Sequence, residues 1–455
     1  MPALWAIAKN TIAQAVRMKV AAIFIVLLLI LLPLMSVIVT GDGSVKGKLQ
    51  TFVGYGLSLT SLLLCLLTII ISTYSLSSDI KYKQIWTVVT KPVRRWQIML
   101  GKLLGIIILD FVLLVGFASI IYGLTMLMPR LSHAGPDEMV QLENEFFTAR
   151  ASVKPIIPDV RKEVEEAFNK MQEQGNLPNG MTPLQVRQQL FQQKLLEKQA
   201  VSPGQAIVWQ FQDVEIADPN QYIFIRFKYD VSVNPPNMSV YGRWIIGDDR
   251  QLAASGGSLK TPIYAPPPQS DSIRTVHELA VPADAVVDGY MGLAFQNLLA
   301  NNTVVIFPTE DGLEVLYKAG SFQWNYVRAV AVIFIRLVFL AMLGVSLAAW
   351  LSFPVAILVC LVIFATGSMS SFIFESFESM EDAGSIAYSF LIKPALNLLP
   401  QLDKVAPADF LIKGQYLSLT SVLALAGVMI GLQGAFVLIA GIVIFRFKEM
   451  AKVTV

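Results

Sequence analysis

The stretch VAAIFIVLLLILLPLMSVIV, residues 20–39, carries no charged side chain and is almost wholly apolar. As a helix it rises about 30 Å, the thickness of the hydrocarbon core of a bilayer. Uninterrupted runs of this kind are rare in the cores of soluble proteins. The stretch therefore predicts a membrane-spanning helix and decides the class of fold.

Five further apolar segments indicate more spans, at residues 52–74, 98–127, 326–351, 354–374 and 419–445. Of the 455 residues, 55% are hydrophobic and only 15% are charged, which disfavours a chain of soluble domains. We therefore predict an α-helical polytopic membrane protein with six transmembrane helices. A polar insert at residues 129–324 divides them three and three. The balance of 35 basic and 33 acidic residues gives no reason to expect nucleic-acid binding.

Basic residues predict which side of the membrane each segment occupies, because short loops rich in Lys and Arg stay in the cytoplasm. They cluster before the first span, in the loop at residues 76–97 and after the last span. We therefore expect both termini and this loop to be cytoplasmic, with the insert and a second loop at residues 376–417 extracytoplasmic. The basic residues are Lys9, Arg17, Lys19, Lys81, Lys83, Lys91, Arg94, Arg95, Arg446, Lys448 and Lys452.

Residues 1–19 show apolar side chains at helical spacing between basic ones. This pattern predicts an amphipathic helix at a membrane surface, the alternative being a cytosolic extension of the first span. The first span lacks a small-residue cleavage site and is expected to be a retained anchor. The apolar positions of the helix are Leu4, Ile7, Ala8, Ile12, Ala15 and Val16.

The insert shows two different sequence patterns, which together predict an α+β unit. Residues 136–200 combine charged side chains with helical spacing and indicate amphipathic helices forming a helical hairpin. Residues 204–322 alternate apolar and polar side chains in short runs separated by Asn, Pro, Gly and Asp. This second pattern predicts an antiparallel β-sandwich or jelly roll.

Residues that could carry chemistry are scarce. The two histidines, His133 and His277, lie in different parts of the insert, and no HExxH, CxxC, GxSxG or Walker A pattern occurs. Cys65 and Cys360 lie in apolar segments, where a thiol is usually a small hydrophobe. We expect the acidic residues around Asp248 to form a solvated turn rather than a calcium site. We expect no catalytic residue, no metal site and no cofactor in this chain.

The loop at residues 76–97 offers the sharper signal. Residues 79–89 can form a short helix, Lys91 and Pro92 end it, and Arg94, Arg95 and Trp96 lead into the third span. A rigid helix held by a cytosolic partner would pass that partner's motion to spans two and three. An ordinary basic loop with an interfacial aromatic explains the same residues equally well.

The run SSDIKYKQIWTVVTKPVRRWQIMLGKLLG, residues 77–105, resembles the region after the second span of type-two ABC exporter permeases. The resemblance covers about the membrane half of the chain and is closest to the permeases associated with multicopper enzyme maturation and gliding. The Glu and Gly-Thr pattern of that family is replaced here by Lys83, Gln84, Trp86 and Thr87, which implies a specialised nucleotide-binding partner. The matching positions are Asp79, Pro92, Arg95, Gly101 and Lys102.

The resemblance implies a permease subunit of an export system in a bacterial cytoplasmic (inner) membrane. ATP and Mg²⁺ would be bound by a partner cytosolic ATPase, and the permease would pair with a second copy or a paralogue. The insert would meet cargo or an extracytoplasmic protein. A membrane-anchored binding or mechanotransmission protein, working through the insert without transport, is the alternative. The expected ATPase contacts are Asp79, Lys83, Trp86, Lys91, Pro92, Arg94, Arg95 and Trp96.

Two charges fall deep inside predicted spans, where an unpaired charge is costly. Asp110 lies about a dozen residues into the third span and Arg336 about ten into the fourth, counted from opposite sides. At 1.5 Å per residue both reach a similar depth. We therefore predict an Asp110–Arg336 ion pair, either as a structural tie or as part of a gate. Lys102 and Arg328 lie near enough to the interfaces to snorkel.

Overall fold

The computed structural model describes residues 2–81, 94–133, 135–156, 159–174, 178, 182–216, 221–251, 261–308, 312–378 and 400–447. The chain divides into two compact units. The helical unit comprises Met1–Thr148 and Ser321–Val455, and the insert comprises Ala149–Gly320. The insert is shorter than the predicted range 129–324, because the third long helix continues to Leu131 and a further short helix stays with the helical unit.

Among the described residues, five helices are long and apolar enough to cross a membrane: α2, α3, α4, α8 and α12. Together with the β-rich insert they fit a polytopic membrane protein. The predicted fifth span, residues 354–374, is represented by the 16-residue helix α9 and the separate short helix α10. In chain order the helices are α1 Pro2–Val16, α2 Lys19–Ile38, α3 Val45–Lys81, α4 Arg95–Leu131, α5 Pro136–Glu145, α6 Arg161–Glu173, α7 Pro183–Glu197, α8 Phe322–Ala348, α9 Phe353–Ser368, α10 Ser370–Glu378, α11 Pro407–Ile412 and α12 Leu419–Phe447.

The core of the helical unit lies around α3 and α8, the two spans with the largest buried share, while α2 and α12 are mostly exposed. The exposed side chains of α2 include Ile23, Ile30 and Val37. Large apolar groups on an outer face are what a helix in contact with lipid requires. The outer face of α2 is thus suited to hydrocarbon rather than water.

Helix α9 ends early because the returning chain packs against its last turn. The amide of Leu402 donates to the carbonyl of Gly367 at 2.9 Å, and a Cβ added at Gly367 would lie 2.4 Å from the Pro400 carbonyl oxygen. The Asp403 carboxylate then accepts from Ser370 Oγ and from the amide of Ser371, at the start of α10. The described part of the predicted external loop 376–417 therefore packs within the helical unit.

Residues 2–16 form helix α1, and most of its apolar face is covered by protein. A Cβ added at Gly101 would lie 2.8 Å from Ile7 Cβ, and one at Gly105 would lie 2.6 Å from the Ala8 carbonyl oxygen. The two glycines, four residues apart on α4, thus let the helices approach closely, as small-xxx-small motifs do. The chain turns extended at Met18, so α1 is distinct from α2 rather than an extension of it.

The beginning of α4 meets the end of α12. Arg95 Nη1 donates to the carbonyl oxygens of Phe445 at 3.1 Å and Arg446 at 2.8 Å. These are carbonyls that the last turn of a helix leaves without an intrahelical partner. Helix α1, the end of α3, the start of α4 and the end of α12 consequently share one end of the helical unit, here named the α3–α4 end.

The insert is a β-sandwich with a helical hairpin. Its two four-stranded sheets have the strand orders β1-β11-β4-β8 and β3-β9-β6-β7, and a smaller sheet has the order β2-β10-β5. Region 136–200, predicted to be helical, also contains strand β1. The strands are β1 Thr148–Val153, β2 Ala200–Val201, β3 Ala206–Phe211, β4 Tyr222–Phe227, β5 Asp230–Val231, β6 Ser239–Gly247, β7 Gln269–Ser272, β8 His277–Pro282, β9 Met291–Asn297, β10 Val305–Ile306 and β11 Leu313–Ser321.

The period-two runs of the insert became strands because alternate side chains fill one core between the sheets. Phe227 of β4 meets Trp244 of β6, with ring centroids 4.7 Å apart, and Trp244 meets Phe295 of β9 at 4.8 Å. Burial of large aromatic side chains is a major source of stability in such a core. The hairpin of α6 and α7 has its own small core, formed by Val160, Val164, Phe168, Val186 and Leu190.

A network of charges crosses the sheet that contains β4. Glu278 pairs with Arg150 at 3.0 Å and with Arg226 at 2.7 Å, and Arg226 also reaches Glu314 at 2.9 Å. Burial raises the pKa of Glu278, but the two guanidinium groups outweigh burial and hold the pKa below its usual value. The ionised carboxylate therefore stabilises the folded sheet.

We expect the replacement Gly105→Ala to destabilise the helical unit by about 1–3 kcal/mol, because the new Cβ would collide with α1. Gly116→Ala is the matched control on the same helix, since a Cβ at Gly116 meets nothing within 4 Å. Alanine's higher helix propensity should leave that control neutral or more stable. Thermal unfolding of the purified full chain in detergent measures both, and equal effects would contradict the close packing of α1.

We expect Glu278→Gln to weaken the insert by about 2 kcal/mol at pH 7, the scale of hydrogen bonds to a charged group. The stabilisation is fully present above the unfolded pKa of about 4.3 and is lost as the pH falls through the lower folded pKa. Hydrogen exchange of the β4 and β8 amides in the full chain should thus differ from the parent at pH 7 and converge near pH 3. The control is Glu165→Gln, whose exposed pair with Arg187 should contribute under about 1 kcal/mol. A pH-independent difference would argue against the ionic origin.

Candidate functional site

A stripe of small and polar side chains runs along one face of α3. Its members recur at alternating steps of three and four residues, which keeps them on one side of a helix. We name it the α3 stripe, and it consists of Ser58, Ser61, Cys65, Thr68, Ser72, Ser75 and Asp79. Sequence inspection missed it, although the spacing is visible in the sequence.

Charged side chains from the neighbouring spans reach the α3 stripe at two levels. Lys102 of α4 meets Ser75 and Asp79, and Asp110 of α4 meets Thr68. Between these levels α8 comes close, because a Cβ at Gly344 would lie 1.9 Å from Ser72 Oγ. The stripe therefore supplies the hydrogen-bonding partners of both α4 charges at membrane depth.

The Asp79–Lys102 ion pair lies at the α3–α4 end. Lys102 Nζ is 2.6 Å from Asp79 Oδ2, and it also donates to the Ser75 carbonyl at 2.8 Å and to Ser75 Oγ at 3.0 Å. The Lys102 side chain is 2% exposed and that of Asp79 is 13% exposed. The expectation that Lys102 snorkels is therefore wrong, since the ammonium is held inside the protein by three oxygen acceptors.

The predicted loop residues divide into two groups. Asp79 lies in the last turns of α3, which continues as a helix to Lys81, and Arg94 precedes α4 with its amide bound to Gln97 Oε1 at 2.9 Å. Arg95 donates hydrogen bonds to carbonyl groups at the end of α12. Trp96 is 38% exposed. Lys83, Trp86, Lys91 and Pro92 lie outside the described residues.

The predicted Asp110–Arg336 ion pair is not formed. Asp110 is 1% exposed, its Oδ2 accepts a hydrogen bond from Thr68 Oγ1 at 3.0 Å, and its Oδ1 has no partner among the described residues. Depth counted along two helices placed the two residues at a similar level, but depth does not fix the faces on which their side chains lie. The prediction was wrong because the helix faces were not considered.

Arg336 instead holds the chain that returns at residues 400–406. Its Nη2 donates to the Leu402 carbonyl and, at 2.6 Å, to the Val405 carbonyl. Nonhelical backbone at membrane depth is tolerated where it is buried in protein or lines a cavity, because its polar groups need partners there. Arg336 supplies such partners. Nearer the beginning of α8, Arg328 Nη1 donates to the Leu417 carbonyl in the same way at 3.2 Å.

Two adjoining cavities lie between α3 and the returning chain. The deeper one, of about 340 Å³, is lined by Ser61, Arg336 and Asp403 among others, and the outer one, of about 460 Å³, is lined by Gln50 and Tyr55. Ser58, Ala408 and Asp409 line both, so the cavities form one groove. We name it the α3 groove.

The described residues of the insert offer no equivalent cluster for chemistry. Among its described residues Asp248 accepts two hydrogen bonds from the Arg250 guanidinium, and Asp249 accepts one from Tyr290 at 2.6 Å. These carboxylates are therefore held by protein partners. No group of three or more His, Cys, Asp or Glu side chains suited to a metal ion occurs in the part of the chain that the structure describes.

Comparisons of this chain with protein-family models, with curated proteins and with solved structures found no match.

Replacing Asp79 or Lys102 singly should destabilise the helical unit by up to about 3–5 kcal/mol, since either change leaves one charge buried without its partner. Asp79→Asn combined with Lys102→Met should cost clearly less than the sum of the single changes. Thermal unfolding of the four proteins in detergent measures this coupling. Strict additivity would show that the two side chains are not energetically coupled.

Asp110→Asn and Arg336→Gln should act independently, because their partners differ. Asp110→Asn should be tolerated, since Thr68 can still donate to the amide oxygen, whereas Arg336→Gln should cost about 2–4 kcal/mol through two lost hydrogen bonds from a charged donor. A double-mutant cycle on thermal stability tests this. A coupling above about 1 kcal/mol would restore the rejected ion pair.

Proposed function

We propose that this chain is the transmembrane subunit of a type-two ABC export system. The single observation that carries the proposal is the buried pair of Asp79 and Lys102. These are two of the five positions on which the sequence resemblance rests, and their contact across α3 and α4 gives the motif a physical reason. A motif shared by chance has no reason to bring its charged members together.

The helices at the α3–α4 end suit the transmission of force. Helix α3 is continuous over 37 residues, about 55 Å, and the pair with Lys102 joins its last turns to α4. Helix α1 docks on the same part of α4 through Gly101 and Gly105. A partner that moves the loop after Lys81 would therefore move α1, α3 and α4 together.

Within this proposal the α3–α4 end faces the cytoplasm, where a partner ATPase binds ATP and Mg²⁺ and grips the loop, and both termini lie on that side. Helices α9 and α10 together complete a sixth crossing, and the insert lies outside a bacterial inner membrane. Two permease copies, or one copy and a paralogue, form the transport unit. The cargo is left open.

The runner-up is a membrane-anchored protein that works through its insert without transport. The observation that favours it is the separate aromatic core of the insert, which makes Ala149–Gly320 a compact unit of its own. Such a protein can still use an ATPase to move an external partner. Reconstitution in vesicles separates the two functions, because only the first moves a substrate across the bilayer.

A photo-crosslinking amino acid at Arg94 of the full chain should capture an ATPase subunit in cells, identifiable by a Walker A peptide in mass spectrometry. The matched control places the same amino acid at Gly43, in the loop at the opposite end of the helical unit, and should capture no ATPase. Capture should weaken in the Asp79→Asn variant. Failure to recover any ATPase from Arg94, with the protein folded, would contradict the proposal.

A further inference from the structure

In the α3 groove, some hydrogen-bond donors of Arg336 have no acceptor among the described residues. A guanidinium group has five N–H donors, and the two on Nη2 of Arg336 are used by Leu402 and Val405. No described residue accepts from the other three, and none of these nitrogens is a buried orphan, so they remain accessible where Arg336 lines the groove. Accessible guanidinium donors at membrane depth favour an anionic group such as phosphate or carboxylate.

Two carboxylates border the same groove. Asp403 is engaged by the start of α10, whereas Asp409 is exposed at the junction of the two cavities. A ligand with only a negative charge would meet both carboxylates, and one with only a positive charge would leave the Arg336 donors unmatched. A zwitterion satisfies both ends.

Part of the lining of the deeper cavity is apolar, beside its serines. Leu57, Leu62 and Phe364 lie along the deeper cavity, and the Leu62 side chain is 46% exposed on the outside of α3. Ligand sites typically combine an apolar lining with a few convergent polar groups. A cavity at bilayer depth that combines charged groups with one apolar wall therefore suits a head group that carries a hydrocarbon chain.

We propose that the α3 groove binds a zwitterionic lipid, with its ammonium group at Asp409, its phosphate at Arg336 and its chain along Leu57, Leu62 and Phe364. This site is independent of the proposed function, since it needs no ATPase. If the chain is a permease, the site names a class of ligand for it.

The test uses the full chain in detergent with both native cysteines replaced (Cys65→Ala, Cys360→Ala) and the single reporter Ser58→Cys. Lysophosphatidylethanolamine should slow alkylation of the reporter by N-ethylmaleimide at least about tenfold at saturation. Lysophosphatidylglycerol and an alkylamine of the same chain length should need about tenfold higher concentrations, because each lacks one of the two charged contacts. A zwitterionic tripeptide tests the same head-group chemistry without the lipid chain.

Asp409→Asn and Arg336→Gln should each weaken protection by lysophosphatidylethanolamine about tenfold, while Arg328→Gln, on the same helix but outside the groove lining, should not. Asp409 is exposed, so its variant decides the matter if Arg336→Gln does not fold. Equal protection by all three amphiphiles, no protection, or an unaffected Asp409→Asn variant would overturn the proposal. Equal protection by the tripeptide would overturn the lipid assignment.

Discussion

Polar groups that are removed from water must find partners inside the protein, and this requirement organises the helical unit. Hydrocarbon offers no hydrogen bonds, so a buried charge requires a partner from a neighbouring part of the chain. The α3 stripe supplies partners for Lys102 and Asp110, and the backbone of residues 400–406 supplies them for Arg336. The apolar surface of α2 faces outward and imposes no such demand.

The two units are stabilised by different means. In the insert, the hydrophobic effect collects Phe227, Trp244 and Phe295 into a core between sheets. Between membrane helices that driving force is weak, because lipid is as apolar as leucine, and close approach through small residues takes its place. Gly101, Gly105 and Gly344 each lie at such an approach. A substitution that adds volume at one of these three glycines is consequently expected to separate the helices.

The long helices, their division by a polar insert and the β-sandwich could be predicted from the sequence. The length of an apolar segment and the spacing of apolar residues within it are local properties. The sequence predicted less well wherever the answer depended on helix faces and tertiary contacts. The Asp110–Arg336 pair failed for this reason, and the burial of Lys102 depends on Ser75, 27 residues away. The shortened α9 depends on contact with Pro400 and Leu402, which no local pattern near Gly367 reveals. Within the candidate site, the residue types were therefore predictable and their pairing was not.

The docking of α1 has a consequence for the order of events during synthesis. Its inner face, with Ala8 and Thr11, packs against Gly105, which the ribosome adds roughly 95 residues later. Since synthesis proceeds at about 5–20 residues per second, several seconds pass between the synthesis of α1 and that of the α4 surface on which it packs. Its outer face, with Trp5 and Lys9, suits the membrane interface, where aromatic and basic side chains partition. Helix α1 thus completes its packing only after the beginning of α4 has been made.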